Sequence, residues 1–499
     1  MRKKKLLYNT IASLGQEIVT LLCGFILPRF FLMYYGSTVN GLISSITNFL
    51  GFVTFLDLGV GAVVQSALYK PLADEDKSGI NKIMISARKF FRNIARILLI
   101  YIVGLIIIYP FFVSDSFDFV FVASMIVILG INSFAQYYFG VVNQMLLNAD
   151  QKAYIQLFLQ AGTVLLNTIV CIILMQNGCS IHVVKLVTVG IYILRPMGMW
   201  LYVKKNYEID YNDKYEGEPI RQKWNGLAQH IAAVVLDNTD MIVLTCFSTL
   251  ENVSIYSVHY MVTNGVRRIL EKVSTGMQAL IGNMYAQKET QKLIETFSVY
   301  EWMMHKLITF LFTCTGILIV PFIGIYTQDI TDVNYNVPVF AVTLTLAQAV
   351  YCIRVPYNML VKAAGHFKET QISAIVEVCI NVIITLAVVI RYGLIGVAVG
   401  TLLAMLYRTL YLGRYSLKEI LQQSQRTMWQ NLLFDIVICA LTYLATSFLF
   451  DLNVGSYIEW IKVAIGVALV CFLITAVIEA LFSRDKLLKV KEYLKNRKK

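Results

Sequence analysis

Asn264, Arg267, Arg268 and Glu271 follow one another at i, i+3, i+4 and i+7 inside a long apolar stretch. On an α-helix that spacing gathers them on one face. Ser257, Thr275 and Gln278 extend the stripe. Guanidiniums beside a carboxylate and an amide can hold an anion, bidentately where it is a phosphate or carboxylate. If the helix enters a membrane at residue 253, Arg267 lies about 21 Å along it at 1.5 Å per residue. A charge at bilayer depth costs at least about 2.5 kcal/mol, so it faces a partner or a wet cavity. The competing reading ends the span early and lets both arginines snorkel to headgroups. The apolar opposite face, regular as far as Ile281, favours the cavity.

A second group lies on the preceding stretch. His230 and Asp237 are seven residues apart and share a face, with Asp240 about 60° round it. Asp237 and Asp240, flanking Asn238 and Thr239, could bind a proton or Na⁺; a structural salt bridge to an arginine of the next helix fits equally well. Asp57 stands mid-stretch after Thr54 and before Gly59 and Gly61, glycines that let helices approach or bend. Arg195-Pro196, Arg354 with Pro356, and Arg29 after Pro28 place cations beside prolines, as in broken helices that line cavities. Arg195 and Arg354 lie deep; Arg29 lies near an end, where it would anchor in headgroups. Glu377 is close to the end of its stretch, and an interfacial position is expected. The candidate anion-binding set is therefore Arg267, Arg268, Arg354, Arg195 and Asn264. The candidate ion-coupling set is Asp57, Asp237, Asp240 and Glu271.

The elements that position these groups are membrane helices. About 20 apolar residues of helix cross the hydrocarbon core, and about fourteen such segments fill residues 8 to 482. The proposed spans are 8–33, 41–69, 90–112, 119–147, 154–176, 181–203, 224–247, 253–285, 299–326, 335–361, 371–390, 394–413, 429–450 and 458–482. Charged residues make up only 15% of the 499 and hydrophobic ones 57%, against about 25% charged in soluble proteins. Lys and Arg crowd alternate connections, from Arg2–Lys5 through Lys82, Arg88, Lys89, Arg92 and Arg96 to the 484–499 tail. The opposite connections carry Arg391 and the acids Asp115, Asp118, Glu251, Asp329, Asp332 and Asp451. That bias places both termini in the cytoplasm. The first span, with Gln16 and Glu17 and no small-residue cleavage site, reads as retained.

The longest polar connection, near 205–223, divides the chain into an N-terminal lobe (1–204, spans 1–6) and a C-terminal lobe (224–415, spans 7–12). Spans 13 and 14, with the basic tail, form an appended pair (416–499). Tyr8-Asn9 and Trp224-Asn225 open the two lobes alike, and long polar-flecked helices end near Tyr69-Lys70-Pro71 and Tyr285-Ala286-Gln287. Two such halves in the same orientation are a transporter signature.

Catalytic chemistry has no foothold. The net charge of +12 sits in loops and tails at helix ends, which argues against a nucleic-acid partner. All nine cysteines except Cys179 fall inside spans, a packing pattern rather than a disulfide framework or metal site. No two of the five histidines have metal-ligand spacing on one helix. There is no phosphate-binding loop of the Walker type, and outer loops are too short for an extracytoplasmic active site. No cofactor is expected.

Phe55-Leu56-Asp57-Leu58-Gly59-Val60-Gly61 resembles the f-x-D-x-G segment in the second helix of bacterial polysaccharide flippases of the Wzx type. The first helix, with Asn9, Gly15 and Pro28, is similar to theirs, and Leu147-Asn148-Ala149-Asp150-Gln151-Lys152 resembles their l-x-a-x-x-k turn. The resemblance covers most of the chain through short motifs, in a superfamily that also holds multidrug extruders and lipid II flippases. It implies an all-α fold in which two six-helix lobes form a V around a central cavity, the appended pair lying outside. It carries Asp57 as a family position but not the arginines of span 8. It also implies alternating access, an undecaprenyl-pyrophosphate-linked oligosaccharide as cargo, and residence in the bacterial cytoplasmic membrane. The expected function is thus a non-enzymatic flippase driven by H⁺ or Na⁺, with membrane lipids and a glycan polymerase complex as partners. Gln136, Asn143, Tyr137, Tyr138 and Gln278 are plausible sugar-facing groups. The alternatives are a lipid II flippase, an ion-coupled drug extruder, which would want an acidic cavity, and a polytopic glycan polymerase or ligase, which would want a long outer loop.

Overall fold

A computed structural model of the chain describes residues 2–57, 60–210 and 227–482. The side chains of residues 2–7, 57, 62, 227–229, 275, 276 and 279 lie outside the described set, as do most of the polar connection and the basic tail. The described residues are all-helical. In order they form α1 (Arg2–Phe52), a 3₁₀ turn (Val53–Asp57), α2 (Val60–Ala73), α3 (Lys77–Ile108) and α4 (Phe119–Ala135). A π turn (Gln136–Gly140), α5 (Val141–Ala149), α6 (Ala153–Gln176), α7 (Ile181–Asn206), α8 (Leu227–Phe247) and α9 (Leu250–Ala286) follow. The chain continues with α10 (Thr290–Tyr326), α11 (Pro338–Ile353), α12 (Val355–Ala364), α13 (Gln371–Tyr415), α14 (Arg426–Leu449) and α15 (Tyr457–Phe482).

Eleven of these helical stretches are long and apolar enough to cross a membrane. Two of the eleven each hold two of the expected spans. In α1 the backbone leaves helical geometry at Gly36 with φ 79°, and in α13 at Gly393 with φ 49°. Only glycine takes such angles without steric cost. The chain reverses there: Asn381 donates to Thr401 Oγ1 at 3.0 Å, although 20 residues of straight helix would separate them by about 30 Å. The remaining expected span is α9, which is 37 residues long but absent from the apolar eleven because of its polar stripe. Pro28, Pro196 and Pro321 are accommodated inside continuous helices. The expected broken helix occurs at Arg354, between α11 and α12, with Pro356 just beyond.

Buried hydrophobic clusters hold the helices together. Met84, Phe91, Leu98, Val122 and Leu146 centre one; Leu270, Ile281, Phe297, Tyr357 and Leu360 centre another. Ile100, Phe111, Val120, Ile390 and Phe448 point outward and are highly exposed, as lipid-facing residues of a membrane protein must be.

The chain divides into two compact units, Met1–Ser254 and Ile255–Lys499. The expected boundary lay at 205–223; instead α8 joins the first unit. Polar contacts to α1 explain why: from α8, Thr245 meets Ser45 at 2.6 Å and Met241 Sδ accepts from Asn48 at 2.7 Å, and from the start of α9 Ser254 accepts from Asn40 at 2.8 Å. The repeat shows in the backbone. After α2, α5, α9 and α12 the chain takes the same left-handed step, at Glu75, Gln151, Lys288 and Gly365. In each, the next amide reaches back five residues: Asp76 to Pro71, Lys152 to Leu147, Glu289 to Met284 and His366 to Val361. These are helix-ending turns of the Schellman kind. Corresponding turns of the two halves lie 213 and 214 residues apart.

Candidate functional site

In the first unit the polar groups of α4–α7 surround a cavity of about 650 Å³. Arg195 and Tyr192 of α7, Gln160 and Thr163 of α6, Gln144 of α5 and Asn132 of α4 line it. The π turn widens the helix at Gln136, which also lines the cavity and donates to Gln144 Oε1 at 3.3 Å. Single π turns of this kind recur at functional sites because they re-aim side chains. Arg195 makes no ion pair among the described residues, and its buried Nε has no hydrogen-bond partner. None of the described lining side chains is Asp or Glu.

A second cavity of about 220 Å³ shares Leu50, Asn132, Ser133 and Tyr192 with the first and contains Lys185. Sequence reasoning missed Lys185. Its ammonium sits 3.8 Å from the Phe31 ring centroid, where the ring's negative face offsets part of its desolvation. Of the expected sugar-facing groups, Gln136 and Tyr137 line the large cavity, while Asn143 donates to the Phe139 carbonyl and Tyr138 lies under the Arg92 guanidinium.

The second unit concentrates its charges where α9, α11 and α13 meet. Arg267 Nε donates to Glu271 Oε1 at 3.0 Å, one turn away on α9. Tyr351 donates its hydroxyl to the same oxygen at 2.9 Å. Two guanidiniums flank the Tyr351 ring, Arg267 at 3.6 Å and Arg354 at 4.2 Å from its centroid. Arg354 pairs with Glu377, and Arg408 Nε lies 3.9 Å from the other Glu377 oxygen. Arg408 also donates to the Thr370 carbonyl at 2.9 Å and to the Ser373 hydroxyl. Glu377 is 3% exposed. The reversal at Gly393 brings Arg408 back beside Glu377, which is buried between two arginines six residues from the start of α13. Three arginines face two carboxylates, and the Lys362 ammonium lies close enough to interact with Glu271 and Arg354, so the cluster is cationic. Tyr351 and Arg408 were missing from the sequence reading.

The other expected site residues are dispersed. Arg268, about 100° round the helix from Arg267, is exposed and makes no ion pair among the described residues; Asn264 is half-buried. Asp237 is exposed and Asp240 buried. His230 contacts the Thr54 carbonyl at 3.1 Å and so ties α8 to the 3₁₀ turn. Asp57 ends that turn, and its side chain lies outside the described residues. Asn9 and the 147–152 turn meet: Asn9 donates to the Gln151 carbonyl at 3.0 Å and accepts the Tyr154 amide at 2.8 Å. There Asp150 accepts the Tyr207 hydroxyl and pairs with Lys152 at 2.8 Å. Among the described residues no cluster of His, Cys, Asp and Glu could hold a metal ion.

No family model and no curated protein matches the sequence. Solved structures do match the fold. One, a lipid II flippase MurJ in an inward closed conformation, superposes with a TM-score of 0.72 at 15% identity, covering 97% of this chain and all of its own. An inward-facing multidrug resistance MATE family transporter of the MOP superfamily gives 0.61 at 14% identity, over 80% of this chain and 94% of its own. An outward-facing MATE transporter of the same superfamily gives 0.54 at 13%, over 83% and 94%. The chain therefore has the all-helical, multi-pass membrane fold that these transporters share.

Proposed function

We propose that the chain is a flippase for an anionic lipid: an undecaprenyl-pyrophosphate-linked oligosaccharide carried from the cytoplasmic to the outer leaflet of a bacterial membrane. The observation that carries this reading is Arg195, with no ion pair among the described residues, in a cavity rich in amides and hydroxyls and with no acid among its described lining. A buried guanidinium without a counter-ion is costly in the absence of an anionic ligand. Pyrophosphate supplies the charge, and arginine is its better bidentate donor. The amides and hydroxyls suit sugar. A cation extruder would need the opposite lining.

A lipid II flippase is the second reading, favoured by the fold match over 97% of the chain; its cargo would present the same kind of headgroup chemistry. Alternating access, an H⁺ or Na⁺ gradient as the drive, and delivery to a glycan polymerase complex complete the proposal, with Asp57, Asp237 and Asp240 as candidate coupling carboxylates.

The test is movement of a short-chain lipid-pyrophosphate oligosaccharide across proteoliposomes. Arg195→Gln should lower the initial rate about 10- to 100-fold at limiting lipid, the equivalent of one charge-assisted contact of about 1.5–3 kcal/mol. Arg267→Ala/Arg268→Ala tests the span-8 pair in the same assay. If folded wild-type protein moves no such lipid yet expels cationic dyes, the extruder replaces this reading.

A further inference from the structure

The appended helices α14 and α15 are joined to α10 by charge rather than by apolar packing alone. His305 Nδ1 donates to Asp435 Oδ2 at 2.5 Å. Lys306 reaches Asp435 at 3.3 Å and Glu479 at 3.0 Å, so one ammonium bridges α14 and α15. Trp302 Nε1 donates to the second Glu479 oxygen at 2.7 Å. One turn before His305 on the same face, Glu301 accepts the Tyr357 hydroxyl of α12 at 2.5 Å and pairs with no Lys or Arg among the described residues. Glu301, His305, Asp435 and Glu479 are all buried, at 2%, 1%, 8% and 4% exposed.

The charges do not balance. Three carboxylates face one ammonium, so the fully ionised cluster with neutral His305 carries −2. An uncompensated charge at this burial costs several kcal/mol. Two protons shared among His305, Glu301, Asp435 and Glu479 bring the described groups to neutrality. Among the described residues Lys306 is the one Lys or Arg paired with these groups. From α14 comes the Cys439 thiol, 2.9 Å from the Thr313 hydroxyl, from α15 Cys471, and from α9 only the Ser274 hydroxyl. His305 Nε2 is buried and without a partner. Lys306 retains 11% exposure, and Glu479 lies one turn from the end of α15.

We propose that Glu301, His305, Asp435 and Glu479 form a proton-binding site that couples the transport cycle to protonation. This rests on the transporter reading above. With two protons bound the cluster is neutral and α14–α15 stay docked on α10. Release to water leaves net negative charge among the three helices, which draws in water and loosens them.

Infrared titration of the full chain in liposomes tests the site without any lipid substrate. The wild type should show a protonated-carboxyl stretch that fades as pH rises. Glu301→Gln should remove part of it, and Tyr357→Phe should shift its frequency by deleting the donor to Glu301. The same vesicles are then assayed for lipid-pyrophosphate oligosaccharide movement with and without a proton gradient. Gradient-accelerated movement in the wild type that becomes gradient-independent in Glu301→Gln supports the proposal. Absence of any carboxyl band that Glu301→Gln removes and Tyr357→Phe shifts overturns it and makes the cluster a fixed ion network, whatever the lipid assay gives. A titrating carboxyl with lipid movement indifferent to the gradient overturns the coupling. A titrating carboxyl with no lipid movement at all retains the proton site and removes the flippase reading.

Discussion

Glu377 is the residue on which the charge cluster of the second unit depends. Among the described residues it alone pairs with both Arg354 and Arg408. Glu377→Gln keeps the shape and removes the charge, leaving two buried guanidiniums without a counter-ion. Breaking a buried pair from one side costs about 3–5 kcal/mol, so a large fall in thermal stability in detergent is expected. Arg408→Gln added to Glu377→Gln should recover part of the loss, and strict additivity would show that the two do not interact. At the surface, Glu208 provides a milder control. The hydrogen bond from Lys77 at 2.6 Å holds its carboxyl below the usual glutamate range. The clasp is therefore intact above the ordinary carboxylate pKa and is lost as pH falls through the depressed value. Limited proteolysis near residues 207–210 at neutral and acid pH reads it, and Glu208→Gln should abolish the pH dependence.

At the scale of the helix, packing is set by small residues where backbones meet. A Cβ on Gly41 would lie 1.9 Å from the Leu250 carbonyl oxygen, whereas one on Gly15 would meet nothing within 4 Å. Gly41→Ala should therefore force α1 from the start of α9 and lower stability, while Gly15→Ala should be neutral or slightly stabilising, since alanine favours helix by about 1 kcal/mol. Melting temperatures of the two variants, side by side, check this. The elements themselves were largely legible, because apolar length alone marks a span. Arg267 and Glu271 were legible as a pair, being one turn apart. The clamp on Glu377 was not, because Arg408 returns to it only through the reversal at Gly393. His305 and Asp435 are 130 residues apart, and no periodicity connects them. Hydropathy also concealed the role of α8, whose hydroxyls bind it to the first unit although its place in the repeat belongs to the second.

On the scale of the whole chain, the unit boundary makes a prediction about fragments. A piece ending at residue 210 exposes the Ser45, Asn48 and Gly41 face of α1 that α8 and the start of α9 normally cover. A piece ending at residue 254 retains that cover, including the Thr38 bond to Glu251 at 2.8 Å. Expressed alone, the longer fragment should resist protease in the membrane and the shorter should not; equal resistance would place the boundary at the polar connection instead.

The reversals at Gly36 and Gly393 also constrain how the protein is made. Each joins two apolar helices through a turn of very few residues, so little polar backbone has to pass through the hydrocarbon. The two helices of each pair are therefore expected to enter the bilayer together as one hairpin, which the insertion of nascent chains truncated between them would check. Ordering of the chain during synthesis is thus written into two glycines, and a side chain at either would first be felt as misinsertion of a nascent hairpin, before any folded protein exists to be destabilised.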